Sequence, residues 1–196
     1  MLISIALSLL VVLVGYLLGS FNTGYYLVYY RTGFDIRARG SRSTGARNVS
    51  RVLGMPGFML TLLGDAGKGA LATWIAIQFG LGSLSVLLAI VAVVAGHIWP
   101  GQLGFRGGKG LATALGAGLV FDYLLVVVIA ALAILMFAIT KHFIVSGLAP
   151  FTLSPAVALG MGRDYVSVLG FGFIVLLILI AHLSNIGAVM RRDRQA

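Results

Sequence analysis

The amino-acid sequence predicts an all-α integral membrane protein with seven transmembrane helices, one of which is short. Of the 196 residues, 60% are hydrophobic and only 10% are charged, whereas ordinary soluble domains contain about 25% charged residues. The mean hydropathy is +1.06. A soluble fold of this size leaves much of its surface in water and could not hide so many apolar side chains. The composition therefore predicts a lipid bilayer as the second solvent.

The formal net charge of +9 fits the same class, because Lys and Arg collect in the cytoplasmic loops of membrane proteins. Basic and aromatic residues are not interleaved in the manner that stacks bases, so no nucleic-acid partner is predicted.

The chain has no cysteine, which excludes disulfides and thiolate chemistry. The first apolar stretch lacks the basic start and cleavage site of a signal peptide, and we interpret it as the first span.

Three clusters of basic residues predict the topology of the chain. They are Arg31, Arg37, Arg39, Arg42, Arg47 and Arg51 in the first, Arg106 and Lys109 in the second, and Arg191, Arg192 and Arg194 in the third. The positive-inside rule places all three clusters on the cytoplasmic side. An even number of crossings must therefore separate any two clusters.

Seven helices satisfy this condition with the N-terminus outside the cell. They cover residues 3–30, 58–79, 84–98, 111–120, 123–140, 144–161 and 165–190, within one domain that fills residues 1–196. A single helix over 111–140 would place the last basic cluster outside, so we predict a break at Phe121–Asp122. The helix before the break is only about 15 Å long, half of the hydrocarbon core, and must be buried among other helices.

Most of the 27 glycines are interpreted as sites of close helix packing.

The first polar segment reads DIRARGSRSTGARNVSRVLG and covers residues 35–54. A helix that begins near Thr44 would place Arg47 and Arg51 on one face, because they are four residues apart. The free N–H groups at its N-terminus, beside two guanidinium groups, would form an anion site. Membrane topology alone is the alternative explanation for these arginines, but it does not account for the interleaved hydroxyls, amide and glycines.

The second polar segment is GFRGGKG, residues 104–110. It is not a Walker loop, because Leu103 occupies the position of the first glycine and Gly110 follows the lysine, so no ATP site is predicted. Its glycines would allow the backbone to form a nest of N–H groups, to which Lys109 adds a positive charge. Thr113 lies one turn further on the same face. Nearby His97 is interpreted as structural, and Asp65 and Lys68 as a pair that neutralises itself.

The third polar segment is HLSNI, residues 182–186, near the end of the last helix. His182 and Asn185 are three residues apart and share a face. Polar groups at the end of a span are costly unless they are used, although a buried pair that only joins helices is the alternative. The usual catalytic patterns GxSxG, HExxH and HxxxxD are absent, and a mechanism with paired carboxylates is not expected from a chain with five acidic residues.

These segments, together with GYLLGS and GHIWPGQLGFRGGKGLATALG, resemble the three cytoplasmic motifs of the bacterial membrane acyl-phosphate:glycerol-3-phosphate acyltransferase family. The resemblance implies a seven-helix enzyme of the cell inner membrane with a cytoplasmic active site. It implies transfer of a fatty acyl group from acyl phosphate to the 1-hydroxyl of sn-glycerol 3-phosphate, the first step of phospholipid synthesis. The products are lysophosphatidic acid and phosphate. No cofactor, metal or obligate protein partner is implied, and membrane lipid surrounds the enzyme.

The residues that match the family's motifs are the predicted catalytic residues. They are Ser41, Arg51, Lys109, His182 and Asn185. A second set is predicted to bind substrate, and it includes Ser146 in a segment that resembles the family's short basic-aromatic-hydroxyl stretch. This set is Arg47, Asn48, Gly107, Gly108, Gly110, Thr113 and Ser146.

The chain departs from the family pattern at several positions. Ser43 replaces an asparagine, Arg47 a threonine, and Ala181 and Ala188 two arginines. Arg42 and Arg47 are predicted to restore the lost anion contacts. The alternative functions are a non-enzymatic membrane carrier of a phosphorylated molecule, and a relative that binds acyl phosphate without turnover. A carrier typically has charges at the bilayer midplane, whereas here they gather on one face, which favours the enzyme.

Overall fold

The computed structural model describes the backbone of residues 2–193 and the side chains of residues 2–183, and this part of the chain forms helices and loops without strands. The helices are α1 (Leu2–Ser20), α2 (Thr23–Thr32), α3 (Ala46–Gln78), α4 (Ser83–Ile98), α5 (Leu111–Phe121), α6 (Tyr123–Thr140), α7 (Phe143–Thr152), α8 (Ser154–Gly160) and α9 (Tyr165–Asp193). Short 3₁₀ turns occupy Ile36–Ala38 and Gly101–Leu103.

The predicted break at Phe121–Asp122 is confirmed. Asp122 ends α5 and caps α6, because its carboxylate accepts a hydrogen bond of 3.2 Å from the backbone N–H of Leu125. With 11 residues, α5 is too short to cross the hydrocarbon core by itself. It packs closely on α3, where a side chain at Gly69 or Gly116 would collide with the backbone of the facing helix.

The predicted continuous helix over residues 3–30 is wrong, because the chain leaves helical geometry between α1 and α2. Asn22 has an extended backbone, and its buried side chain donates to the carbonyl of Ser20 at 3.2 Å. It also accepts from the hydroxyl of Thr44 at 2.5 Å. A side chain that satisfies such groups stabilises a break where a helix would otherwise continue.

Two further helices are bent. The helix predicted to start at residue 58 already begins at Ala46, and the chain kinks at Gly54, whose φ of 65° and ψ of −160° are not helical. The helix predicted over residues 144–161 divides into α7 and α8, which meet at 43°. Pro155 at the start of α8 favours this division, because proline removes a backbone donor.

Length and apolar composition qualify four of the described helical segments as membrane spans, or five if α7 and α8 form one bent span. The four are Leu2–Thr32, Ser83–Leu103, Tyr123–Thr140 and Tyr165–Leu183. The short helix α5 and the more polar α3 do not meet these criteria on their own. The large apolar surface on the helices is therefore suited to lipid, but fewer than seven of the described segments are long and apolar enough to span it.

The loops collect at two ends of the helix bundle, which we call the basic end and the distal end. At the basic end, the backbone N–H of Thr44 donates to the carbonyl of Gly107 at 3.4 Å and joins the first two polar loops. At the distal end, Asp122 between α5 and α6 contacts Arg163 between α8 and α9 at 2.7 Å. The chain runs from one end to the other along α5, returns along α6, and so brings its separate polar segments together.

Candidate active site

Asn48 organises the first polar loop. The two hydrogens of its amide nitrogen are shared among three backbone carbonyls, those of Ile36 at 3.3 Å, Arg39 at 3.0 Å and Ser43 at 2.9 Å. Its amide oxygen accepts from the backbone N–H of Ser41 at 2.9 Å and lies 3.5 Å from Arg51 Nη1. Because the loop itself uses the whole amide, Asn48 positions Ser41 and Arg51.

The helix predicted near Thr44 begins at Ala46, with Gly45 as its N-cap. Arg47 and Arg51 both face the same cavity, as their spacing predicts. The guanidinium of Arg47 also lies 5.2 Å from the ring centre of Phe143 on α7. Such a cation–π contact stabilises this position of the arginine side chain beside Phe143, which also lines the cavity.

The second polar loop does not use Gly107 and Gly108 as the predicted anion nest. The N–H of Gly107 donates to the carbonyl of Ile98 at 3.0 Å, and that of Gly108 donates to the carbonyl of His97 at 3.0 Å. These bonds satisfy carbonyls at the end of α4, which lack intrahelical partners. A side chain at Gly107 would collide with the His97 carbonyl, and one at Gly108 with the His97 ring. These glycines allow the loop to pack on α4.

The anion-binding features of this loop come instead from Lys109 and the start of α5. Gly110 is the N-cap of α5, with a φ of 82° that favours glycine. Lys109, Gly110 and the first residues of α5 line the cavity. The first N–H groups of a helix have no intrahelical acceptor and favour negative charge. Burial lowers the pKa of Lys109, so an anion beside this side chain would stabilise its charged form.

Arg37 joins the two loops and is used within the protein. It forms an ion pair of 2.8 Å with Asp35, and its Nη1 donates to the carbonyls of Leu103 and of Arg106, the latter at 3.2 Å. The hydrogen bond from Arg37 lowers the pKa of Asp35. Not every arginine of the first basic cluster is therefore placed to bind an external anion.

The two loops and the ends of α7 and α9 surround a cavity of about 580 Å³. Its polar lining includes Ser41, Ser43, Arg47, Asn48, Arg51, Asp65, His97, Lys109, Ser146 and His182. Its apolar lining comes mainly from α3, α5, α6 and α7, through Phe58, Leu62, Leu111, Leu115, Ala133, Ile134, Phe137, Phe143 and Ile144. Ile134 and Phe137 are also exposed on the outer surface of α6. The cavity therefore combines a basic part with an apolar part at the lipid-facing surface.

His182 and Ser146 complete the described polar lining. The Nδ1 atom of His182 lies 2.8 Å from the carbonyl oxygen of Ile178. A carbonyl can only accept, so Nδ1 carries the proton, and Nε2 of the neutral ring is an acceptor. The hydroxyl of Ser146 lies 2.9 Å from that of Thr140. The side chains of Asn185 and Ala188 and the arginines of the third basic cluster lie outside the described residues.

Known proteins resemble this chain in fold and in sequence. A family model described as glycerol-3-phosphate acyltransferase matches residues 9–192. Glycerol-3-phosphate acyltransferase 1 of Desulfitobacterium hafniense is 44% identical over 189 residues, which cover 96% of this chain and 94% of the relative. Glycerol-3-phosphate acyltransferase of Clostridioides difficile is 41% identical over 152 residues, 75% of this chain and 74% of the relative.

Among solved structures, PlsY (YgiH), an integral membrane glycerol 3-phosphate acyltransferase in its glycerol 3-phosphate form, has a TM-score of 0.88 and 29% identity. The match covers 94% of this chain and 92% of that one. The chain belongs to the glycerol-3-phosphate acyltransferase family. The resemblance of the three polar segments is thereby confirmed, and the apolar helices are those of a bacterial integral membrane protein.

Within this acyltransferase fold, most of the predicted site residues meet at one cavity. Those that line it are Ser41, Arg47, Asn48, Arg51, Lys109, Gly110, Ser146 and His182. Thr113 does not: it is fully buried, and its carbonyl faces Gly69 on α3. Gly107 and Gly108 lie behind the lining, against α4. Ala181 packs against the hydrophobic cluster that includes Ile90, Ile174 and Ile178.

Sequence reasoning missed Asp65 and His97 as lining residues. The signal was present, because ionisable residues inside a membrane segment are costly and are usually functional. The spacing of Asp65 and Lys68 suggested a self-contained pair instead. Their contacts with distant segments could not be read from that spacing.

Proposed function

We propose that this cavity is the active site of an enzyme that transfers a fatty acyl group from acyl phosphate to the 1-hydroxyl of sn-glycerol 3-phosphate. One observation carries the proposal: a single cavity joins cationic side chains and two helix N-termini to an apolar region lined by α3, α5 and α6. A substrate with a charged phosphate and a long acyl chain fits such a cavity. The related PlsY structures, in glycerol 3-phosphate and lysphosphatidic acid forms, support the same acceptor and product.

In the proposed reaction, the 1-hydroxyl oxygen attacks the acyl carbonyl carbon, and the bond from that carbon to the phosphate oxygen breaks. Phosphate leaves with the bonding electrons and takes the hydroxyl proton on one of its oxygens. The donor is already activated, so positioning and charge stabilisation supply most of the catalysis. The described cavity offers no paired carboxylates that would serve as acid and base.

The predicted site residues have distinct roles in this reaction. Lys109 and Arg51 stabilise the charge that develops on the transferred group and the departing phosphate. The acceptor atom Nε2 of His182 holds the attacking hydroxyl, while Ser41 and Ser146 donate to phosphate oxygens. Arg47 provides further positive charge, and Asn185 is proposed to act beside His182. The acyl chain lies between Phe58 and Leu62 on α3 and Phe137 on α6.

We further propose that residues 1–196 form one domain in a bacterial inner membrane, with seven spans, the N-terminus outside and the cavity on the cytoplasmic side. The basic residues around the cavity support this orientation, and the turn at Asp122 supports the count. A reporter fused after Asp122 should lie outside the cell, and one fused after Lys141 inside. The same location for both reporters would contradict the arrangement.

Turnover by the purified protein tests the reaction. With long-chain acyl phosphate and glycerol 3-phosphate, we expect phosphate release and lysophosphatidic acid formation in equal amounts. Omission of glycerol 3-phosphate should suppress phosphate release, and acyl-CoA should not replace acyl phosphate. Comparable turnover with acyl-CoA would contradict the proposed donor, and binding without product would favour a carrier.

A further inference from the structure

A buried ionic network lies at the inner wall of the cavity, where α1, α3 and α4 meet. Lys68 Nζ lies 3.1 Å from Asp65 Oδ1 and 2.8 Å from His97 Nδ1. It also donates to the backbone carbonyls of Gly19 at 2.8 Å and Phe21 at 2.7 Å, at the break between α1 and α2. The side chains of Asp65, Lys68 and His97 are each at most 7% exposed.

Lys68 does more than neutralise Asp65. An ammonium group has three donors and no acceptor, and here it faces four acceptors from three parts of the chain. Since Lys68 can only donate, Nδ1 of His97 must be its acceptor, and the ring proton therefore resides on Nε2. A hydrogen bond to one ring nitrogen in this way determines both the tautomer and the orientation of the ring.

The other edge of the His97 ring supports the second polar loop. A side chain at Gly108 would collide with Nε2, and the N–H of Gly108 donates to the His97 carbonyl. His97 thus contacts Gly108 through both its ring and its backbone. Lys109 follows directly in the sequence, and Asp65, His97 and Lys109 all line the cavity.

We propose that Asp65, Lys68 and His97 form a positioning network that holds the backbone of Gly107 and Gly108, and thereby Lys109, in place against the substrate phosphate. Lys68 is a positioning residue, because it acts through His97. This inference rests on the proposed function for its catalytic readout. The network also connects the α1–α2 break to the loop, so residues far apart in sequence determine where one lysine points.

A double-mutant cycle tests the proposal. Lys68→Met removes the ammonium group but keeps much of the side-chain volume, and Lys109→Ala removes the group that the network positions. We expect Lys68→Met to lower kcat/KM at least about tenfold in the wild-type background and about threefold or less in the Lys109→Ala background. Residues that act through one another are non-additive in this way. Equal effects in the two backgrounds would overturn the proposal, because general destabilisation acts equally in both.

The variant Asp65→Asn/Lys68→Met controls for folding, because it removes both charges and leaves no unpaired ion in the interior. We expect it to recover thermal stability but not kcat/KM. If Lys68→Met fails to fold, this double variant takes its place in the cycle. Recovery of both stability and activity would show that charge neutrality is the only role of the network.

Calorimetric binding of inorganic phosphate to the same proteins provides a readout that does not require turnover. We expect Lys68→Met to weaken phosphate binding in the wild-type background and to have little effect in the Lys109→Ala background. If the wild type shows no turnover, the proposed reaction is contradicted. The phosphate affinities of the four proteins would still test the positioning role of Lys68. Unchanged phosphate affinity in Lys68→Met would contradict the positioning role.

Discussion

The two ends of the helix bundle use their charges differently. At the distal end, Arg163 forms two hydrogen bonds with Asp122, of 2.7 and 2.9 Å, so the opposite charges are matched within the protein. At the basic end, Arg47, Arg51 and Lys109 line the cavity. The acid in the described lining, Asp65, lies 3.1 Å from Lys68. Matched charges stabilise the fold, whereas this excess of positive charge is suited to an external anion.

The same contrast occurs within the basic end. Arg37 is fixed by Asp35 and by backbone carbonyls of the second loop, but Arg51 lies in the cavity lining with a longer contact to Asn48. Residue type and sequence neighbourhood are similar for both arginines. Their contacts separate a residue that joins loops from one that can bind substrate.

The largest effect is expected from Lys109→Ala, which should lower kcat/KM by about 100-fold or more. A desolvated phosphate would lose a charged hydrogen bond of about 1.5–3 kcal/mol as well as electrostatic stabilisation of the transition state. The matched control is Lys141→Gln, because Lys141 is exposed at the same end but is not among the lining residues. Steady-state kinetics should show nearly normal activity for the control. Ordinary kinetics for Lys109→Ala would mean that its charge serves topology alone.

Gly108→Ala should lower kcat/KM by about tenfold or more, because the added methyl group collides with the His97 ring and displaces the loop before Lys109. Gly67→Ala is the matched control, since a methyl group at Gly67 meets open space. The control should retain activity and gain up to about 1 kcal/mol of stability from helix propensity. Wild-type kinetics for Gly108→Ala would show that the loop tolerates movement.

The alkaline limb of the kcat/KM profile should begin below the ordinary lysine pKa of 10.5, because burial lowers the pKa of Lys109. Activity requires the charged form and is lost as pH rises through that lowered pKa. Between the lowered pKa and 10.5, Lys109 is protonated in the unfolded chain but deprotonated in the folded chain. This group therefore makes the free energy of unfolding increase with pH over that interval. Lys109→Arg should move the limb to higher pH. If the alkaline limb stays at the same pH in Lys109→Arg, a group other than Lys109 causes it.

Arg47→Thr should raise KM for the phosphate substrates by about 3- to 10-fold, with a smaller change in kcat. Arg47 is exposed at the cavity and contacts Phe143, so solvent weakens its contribution relative to that of Lys109. Ala181→Arg should not restore the loss, because Ala181 packs against the hydrophobic cluster. Rescue by this second substitution would show that the end of α9 reaches the same anion.

The smallest effect on activity is expected from Arg163→Met at the distal end. The partly exposed pair with Asp122 should contribute up to about 1 kcal/mol of stability, so thermal unfolding should occur at a slightly lower temperature. Kinetic constants should stay within about twofold of wild type. A large loss of activity would show that the distal end also contributes to catalysis, and the proposed difference between the two ends would be wrong.

Features that depend on neighbouring residues could be predicted from local patterns in the chain. Apolar stretches and basic clusters predicted a helical chain with a break at Asp122, although several predicted helices are broken or begin elsewhere. The resemblance of the motif residues predicted Lys109, Arg51 and His182 at one site. Helical spacing correctly placed Arg47 and Arg51 on one face, because residues four apart on a helix are neighbours whatever the rest of the chain does.

The contacts of each polar group depend on how the helices pack. The break at Asn22 depends on Thr44, which is 22 residues away, and the ammonium of Lys68 contacts residues 29 and 49 positions away. The sequence predicts that Gly107 and Gly108 bind an anion, but the end of α4 uses their N–H groups. A buried donor must find an acceptor, and the acceptor is whichever group packing brings near. Hydrogen-bond partners across the bundle are therefore set by the fold.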